Sequence, residues 1–276
     1  MVRYRGRAAT AIPSYVIFIA LAAAIVYPLI WMVMTSLKSQ YVIFQDPMGL
    51  PAEPSLDNYT RALVEGDFKT TLINSLIVTV PAVFLLVLIS ALASFAFARL
   101  RFRGSKVLFY ILLIGVMVAP QSIVIPVFQV VFRLGLLNSF VGLILVYLSW
   151  SPVAILILTT FFRGIPHEIF EAAQIDGAGI LRTFFGVALP LAKPALATVA
   201  IFYFVWIYND LLYPLVLLQD PGKATIPLGL LQFQGQYHSD WGTQTAALTM
   251  AVAVPLIIYM FAQDKFVRGL TAGAVK

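Results

Sequence analysis

Hydrophobic positions in this chain gather into long runs rather than alternating with polar ones, and the charged residues between them bound six uncharged intervals. These lie between Arg7 and Lys38, Lys69 and Arg99, Lys106 and Arg133, Arg133 and Arg163, Lys193 and Asp210, and Asp240 and Asp264. An ionised side chain at the centre of a bilayer costs several kcal/mol, so an interval without one is a good guide to a membrane span. Five of the six exceed the roughly 20 residues that a spanning helix needs. The exception, Pro194 to Asn209, reaches that length only if it continues through Asp210 to about Gln219, which puts Asp210 within the fifth span or at its outer edge. The pattern predicts an all-α integral membrane protein with six transmembrane helices.

The first interval follows "MVRYRGR" and contains "LAAA" (Leu21 to Ala24), a combination that imitates a cleavable signal. Its apolar stretch runs on to Trp31 and Met34, longer than a signal's hydrophobic region, and so predicts an uncleaved span. The expected division is 1–12 amino-terminal segment, 13–37 span one, 38–70 outer loop, 71–263 a transmembrane domain of spans two to six, and 264–276 a tail. With the amino terminus inside, thirteen of the 18 Lys and Arg residues fall on the cytoplasmic side, many of them in "ARLRFRGSK" between spans two and three. This is the positive-inside asymmetry, and it places both termini in the cytoplasm.

Polar loops carry their own pattern. "PSLDNYTRALVEGDF" suits either a short amphipathic helix along the outer surface or a solvated connector. "LLQDPGKATIPLGLLQFQGQYHSDW" reads as a connection between spans five and six, with a turn at Asp220, Pro221 and Gly222. On the cytoplasmic side, residues 163–193 include "EAAQIDGAGILRTFFGVALP". There Pro166 suits a first helical position and Glu168 the positive end of a helix dipole. Ile165, Ile169, Ala172 and Ala173 share one helical face, with His167, Glu171 and Gln174 opposite. Asp176 and Gly177 stop this helix, since glycine takes the left-handed conformation of a cap without steric cost. A second helix carries Ile180, Phe184 and Val187 on one stripe and ends at the prolines of "LPLAKP". The segment is a helix, a tight turn and a helix.

Composition agrees with the pattern: 61% of residues are hydrophobic, 11% are charged and none is cysteine. Disulfides, thiolate metal sites and cysteine nucleophiles are thereby excluded. No G-x-x-x-x-G-K-[ST] occurs, so the chain lacks a phosphate-cradling loop for ATP. The spans contain no His or Glu and only one acid, Asp210, which disfavours a proton relay, while sodium sites built from backbone carbonyls escape that test. No His cluster, paired carboxylates or Gly-x-Ser-x-Gly supports an intramembrane enzyme, and no catalytic, metal or cofactor-binding residue is assigned.

The spacing of Glu171, Ala172, Ala173, then Gly177, then Val187, Ala188, Leu189 and Pro190 resembles the EAA loop of ATP-binding-cassette importer permeases, with Val187 in place of the usual isoleucine. Asp176, together with "LDNY", "NSLIV", "YNDLLYPL" and "DKFVRGLTAGAVK", is similar to the carbohydrate class, the MalG-like sugar permeases. The resemblance implies a type I importer fold in a bacterial or archaeal inner membrane, with Glu171, Ala172, Ala173, Asp176, Gly177, Leu189 and Pro190 coupling to the motor. It further implies a second permease subunit forming the other half of the pathway, a dimer of cytoplasmic ATPase subunits that binds ATP and Mg, and an extracytoplasmic sugar-binding protein. A polyol or glycerol phosphate permease and an ATP-independent carrier are the alternatives. The tail from Asp264 to Lys276 is expected either to touch the ATPase dimer or to be disordered.

A sugar path needs aromatic faces for CH surfaces and polar side chains for hydroxyls. The candidates are Gln121 and Gln129 in span three, Tyr147 and Trp150 in span four, and Tyr208, Asn209, Asp210 and Tyr213 in span five. Interhelical hydrogen bonding and interfacial anchoring are the competing roles for the same residues.

Overall fold

A computed structural model describes the backbone of residues 7–100, 102–236 and 240–274. Side chains are described from Tyr15 onward, except those of 101, 232–239, 262 and 264–276, so Arg3, Arg5, Lys276 and the side chains of the tail lie outside the described residues. Every regular element among the described residues is helical. Among the described residues, three helices are long and apolar enough to cross a membrane, and the number rises to as many as six when each of three bent helix pairs, the third being Ile180–Leu191 with Lys193–Tyr208 at 76°, counts as one span. The chain forms two compact units, Met1–Phe68 with Leu230–Val252 and Lys69–Gly229 with Ala253–Lys276.

In the first unit, α1 (Arg7–Ser36) contains the candidate span Tyr15–Ser36, whose large apolar side chains are exposed along most of its length. That is the surface a lipid-facing helix presents. Two short helices follow, α2 (Gln40–Gln45) and α3 (Asp57–Val64). The second is helical where the sequence left a helix or a connector open, with Asn58 and Ala62 buried and Asp57, Thr60 and Val64 exposed. Asn58 organises the unit: its amide donates to the carbonyls of Ser36 at 2.7 Å and Lys38 at 2.8 Å and accepts from Arg61 at 2.5 Å. Arg61 in turn pairs with Asp240 at 2.7 Å. Asp240 caps the long helix α15 (Trp241–Ala274) by accepting from the backbone N–H of Thr243 at 3.0 Å and from its hydroxyl at 2.7 Å. The backbone of the tail is helical as far as Ala274.

The second unit begins along α4 (Phe68–Arg99), a helix of 32 residues. Span three, expected to be one helix, is broken into α5 (Ser105–Val116), a 3-10 turn (Pro120–Ile123) and α6 (Val124–Arg133), with a bend of 95°. Pro120 explains the break: it has no N–H to donate and forces the preceding residue, Ala119, into extended backbone. Span four bends by 44° between α7 (Phe140–Leu148) and α8 (Ser151–Gly164), with Pro152 in the first turn of α8.

The cytoplasmic loop of the sequence reading forms α9 (His167–Ile175), α10 (Ile180–Thr183), a π-helical turn (Phe184–Ala188) and α11 (Leu189–Leu191). Span five consists of α12 (Lys193–Tyr208) and α13 (Leu212–Leu217), interrupted at 209–211, so Asp210 lies in a break and not inside a helix. The connection to the last helix turns at Asp220, whose carboxylate accepts from the N–H of Gly222 at 2.9 Å, and then forms α14 (Ile226–Gln236), a helix not expected from the sequence. The "NSLIV" stretch has a structural task here. Asn74 donates to the carbonyls of Gly222 and Ala224, and the Ser75 hydroxyl accepts from the N–H of Ile226 at 2.7 Å.

Candidate functional site

Two features of the second unit bear on function, a helical loop and a cavity. In the loop, α9 ends as foreseen. Gly177 has φ 76°, its N–H bonds to the Gln174 carbonyl at 3.0 Å, and the next N–H, of Ala178, bonds to the Ala173 carbonyl at 2.9 Å. These two bonds form a Schellman cap, which satisfies the carbonyls that a helix end leaves open.

The buried face of α9 is phased differently from the sequence reading. Phe170 and Ala173 are buried, while Ile169 and Ala172 are exposed. The cause is an aromatic socket. The ring of Phe95, near the end of α4, lies 6.0 Å from Phe162, 6.1 Å from Phe170 and 5.4 Å from Phe184. Phe170, with the Phe95 ring beside it and the Arg99 guanidinium over its face, takes the inward position in preference to Ile169. The π turn likewise places Phe184 and Ala188 inside and leaves Ile180 exposed.

Arg99 closes the socket. Its guanidinium stacks 4.2 Å above the Phe170 ring and donates to the carbonyls of Phe162, at 2.5 Å, and Ile165, at the end of α8. One cation thus ties α4 and α8 to α9.

Of the predicted loop residues, Glu171, Ala172, Asp176, Gly177 and Pro190 are exposed, Leu189 is half-buried and Ala173 faces inward. Glu171 also meets His167 at 3.1 Å across one helical turn, both well exposed. No atom outside its own neighbourhood comes within 4 Å of where a side chain on Gly177 would begin. The outward surface is therefore open, small at Ala172 and Gly177, acidic at Glu171 and Asp176, and apolar at Ile169 and Ile175.

The cavity, of about 400 Å³, brings together Gln121, Trp150, Asn209, Asp210 and Tyr213 from three different spans. This volume falls within the roughly 300–1,000 Å³ common for small-molecule sites. Tyr147 stands directly behind, buried, with its hydroxyl donating to Asp210 at 2.9 Å. Asp210 also accepts from the N–H groups of Leu212 at 3.3 Å and Tyr213 at 3.2 Å, and so starts α13 after the break. Trp150 is the centre of an aromatic wall, with its ring 5.1 Å from Tyr147, 5.7 Å from Trp206 and 6.0 Å from Tyr213. Tyr203 fixes the bend of span four by donating to the Trp150 carbonyl at 2.7 Å, and Tyr213 donates to that of Pro120 at 3.2 Å.

Two candidates lie elsewhere. Tyr208 is buried and stacks on Phe204 at 5.5 Å, and Gln129 is exposed on α6, away from the cavity lining. Sequence reasoning missed Trp206, Ser149 and Pro120 in the lining and Phe95, Arg99 and Phe170 beneath the loop. A tryptophan four residues before Asp210 was the available signal for the first of these. The socket left none, because its members are dispersed over α4, α8, α9 and the π-helical turn.

The arrangement suits a polyhydroxylated guest, with indole and phenol faces on one side and carboxylate and amide groups on the other. The chain is also similar to known proteins. A sequence profile described as "Binding-protein-dependent transport system inner membrane component" matches residues 70–272. The chain is similar to a putative ABC transporter permease protein from Caldicellulosiruptor sp. (strain Rt8B.4), at 37% identity over 95% of this chain and 96% of that one. It is similar to the diacetylchitobiose uptake system permease protein NgcG of Streptomyces coelicolor, at 33% identity over 95% of this chain and 88% of that one. A solved bacterial ABC transporter involved in the import of the acidic polysaccharide alginate matches with a TM-score of 0.85 and 25% identity, covering 96% of this chain and 99% of that chain.

Proposed function

The chain belongs to the family of binding-protein-dependent transport system inner membrane components, and from that membership we propose that it is the permease subunit of an ATP-driven importer for a sugar or oligosaccharide. It has the type I importer fold and is a membrane protein. It forms half of a translocation pathway with a second permease subunit, takes its solute from an extracytoplasmic binding protein, and docks a cytoplasmic ATPase dimer through α9. Both termini face the cytoplasm.

The observation that supports this reading most directly is the build of the loop. A helix that lies free on lipid headgroups has no need of a buried ring and a guanidinium beneath it. Here Phe170 and Arg99 fix the underside of α9, while Glu171, Ala172, Asp176 and Gly177 are left open to a partner. Small residues on an exposed turn admit close approach of another backbone. Ala173, being inward, contributes to the seat and not to the docked surface.

In operation, ATP binding closes the paired ATPases, their movement displaces α9, and the socket passes the displacement to α4 and α8. The aromatic wall around Trp150 then exchanges access between the two sides of the membrane, with Asp210 and Asn209 receiving sugar hydroxyls. The test is reconstitution of the chain with its partner permease, ATPase and binding protein in liposomes. ATP-driven uptake of a labelled oligosaccharide, and none from an ion gradient alone, is the expected result. Uptake by the chain alone under an ion gradient would make it a secondary carrier, and uptake only of a polyol or glycerol phosphate would move the cargo class.

A further inference from the structure

Beside the loop, and separate from the cavity around Trp150, a second pocket of about 280 Å³ is lined by Phe97, Ser105, Lys106, Phe109, Tyr110 and Arg163. Its floor is aromatic, with Phe97 5.5 Å from Phe109. Its rim is cationic. The Arg163 guanidinium is held over the pocket by the Phe109 ring at 5.4 Å, and Lys106 and Arg163 form no ion pair with any described residue. The first turn of α5, a helix of 12 residues, opens at Ser105, where helical N–H groups lack acceptors within the helix.

Two unpaired cations, a hydroxyl and a helix start form a receptor for a phosphate. The flank of the same helix decides which phosphate. Val107, Leu108, Tyr110, Ile111 and Ile114 are all at least half exposed and apolar, so a stripe of hydrocarbon surface leads directly away from the cationic rim. That combination matches an amphiphile, with an anionic head on Lys106 and Arg163 and chains along α5. A soluble phosphate has no use for the stripe. We propose that this pocket is a binding site for the headgroup of an anionic glycerophospholipid. The proposal rests on assigning this end of spans two to four to the cytoplasmic leaflet, and it does not require that the solute be a sugar. A basic recess at that level attracts anionic headgroups through the surface charge of the leaflet.

The experiment uses the full chain, extracted in mild detergent with its co-purifying subunits and exposed to an equimolar mixture of phosphatidylcholine and phosphatidylglycerol. Retained lipid is then counted by native mass spectrometry. The expected result is selective retention of phosphatidylglycerol, falling about thirtyfold in Lys106→Gln/Arg163→Gln, as two lost cations near an anionic surface imply. Arg133→Gln, at the other end of span three, should leave retention unchanged. Equal retention of both lipids by the unaltered protein overturns the proposal, whether or not the double variant assembles. Displacement of phosphatidylglycerol by inorganic phosphate overturns it in favour of a soluble anion. Loss of the ATPase subunits from the double variant, with lipid retention intact, overturns it in favour of a protein contact. Failure of the leaflet assignment is read separately, by labelling a cysteine placed at Gln174 from each side of the membrane.

Discussion

A carboxylate in a break between two helices must be stabilised by donors, and Asp210 has three, the Tyr147 hydroxyl and the N–H groups of Leu212 and Tyr213. Asparagine offers one acceptor oxygen in place of two. Asp210→Asn is therefore expected to destabilise the assembled protein by about 1–3 kcal/mol, as for other hydrogen bonds to charged groups. Tyr147→Phe should act through the same bond, so the double variant should fall short of the sum of the two single effects by about 0.5 kcal/mol or more. Thermal unfolding of the four proteins checks this, and uptake by Asp210→Asn at wild-type rate would remove Asp210 from the path. Arg99 is the second residue on which much depends. Arg99→Gln gives up the stacking on Phe170 and the paired carbonyl contacts, at an expected cost of about 2 kcal/mol. Because the change lies beneath the loop, solute moved per ATP hydrolysed should fall, whereas a purely structural loss would lower both rates together.

At the scale of elements, α9 and its cap are the part whose behaviour follows most directly from local rules. Phe170→Ala empties the position that faces Phe95 and Arg99 and should cost about 3–5 kcal/mol. Hydrolysis is then expected to continue with little transport, measured as phosphate release against uptake. Gly177→Trp adds both bulk on an open surface and a strained left-handed backbone of about 1–2 kcal/mol, and should abolish docking without preventing insertion. The existence and end of α9 were legible, since Asp176 and Gly177 announce a stop. Its phase was not, because Ile169 and Phe170 are adjacent apolar residues and only the distant Phe95 and Arg99 decide between them. Similarly, charge spacing located span three but not its 95° bend, although Pro120 and Pro126 stood in view. A proline marks where a helix breaks and does not give the direction in which the chain leaves. Helix α14 escaped notice because glycines and glutamines within it imitate a connector.

For the whole molecule, the six-span plan came from twelve acids and eighteen bases, because lipid penalises any other distribution of them. Five of the eight proposed path residues meet in one cavity even though they come from three spans. Their chemistry was readable from single positions, while the absence of Tyr208 and Gln129 from the lining depends on helix rotation, which hydropathy does not encode. Orientation is open to direct test. A cysteine at Gln174 is expected to react with an impermeant maleimide only in inverted vesicles or broken cells, and reaction in intact cells would turn the entire chain over. The 32 residues of α4 span about 48 Å at 1.5 Å per residue, against a hydrocarbon layer of about 30 Å. A helix of that length tilts within the bilayer or reaches into its headgroup layers. Phe95 and Arg99 stand at one end of it, and a lean of about 10° over that length would carry that end through about 8 Å, so a small rotation inside the bilayer would become a long stroke at the seat of α9.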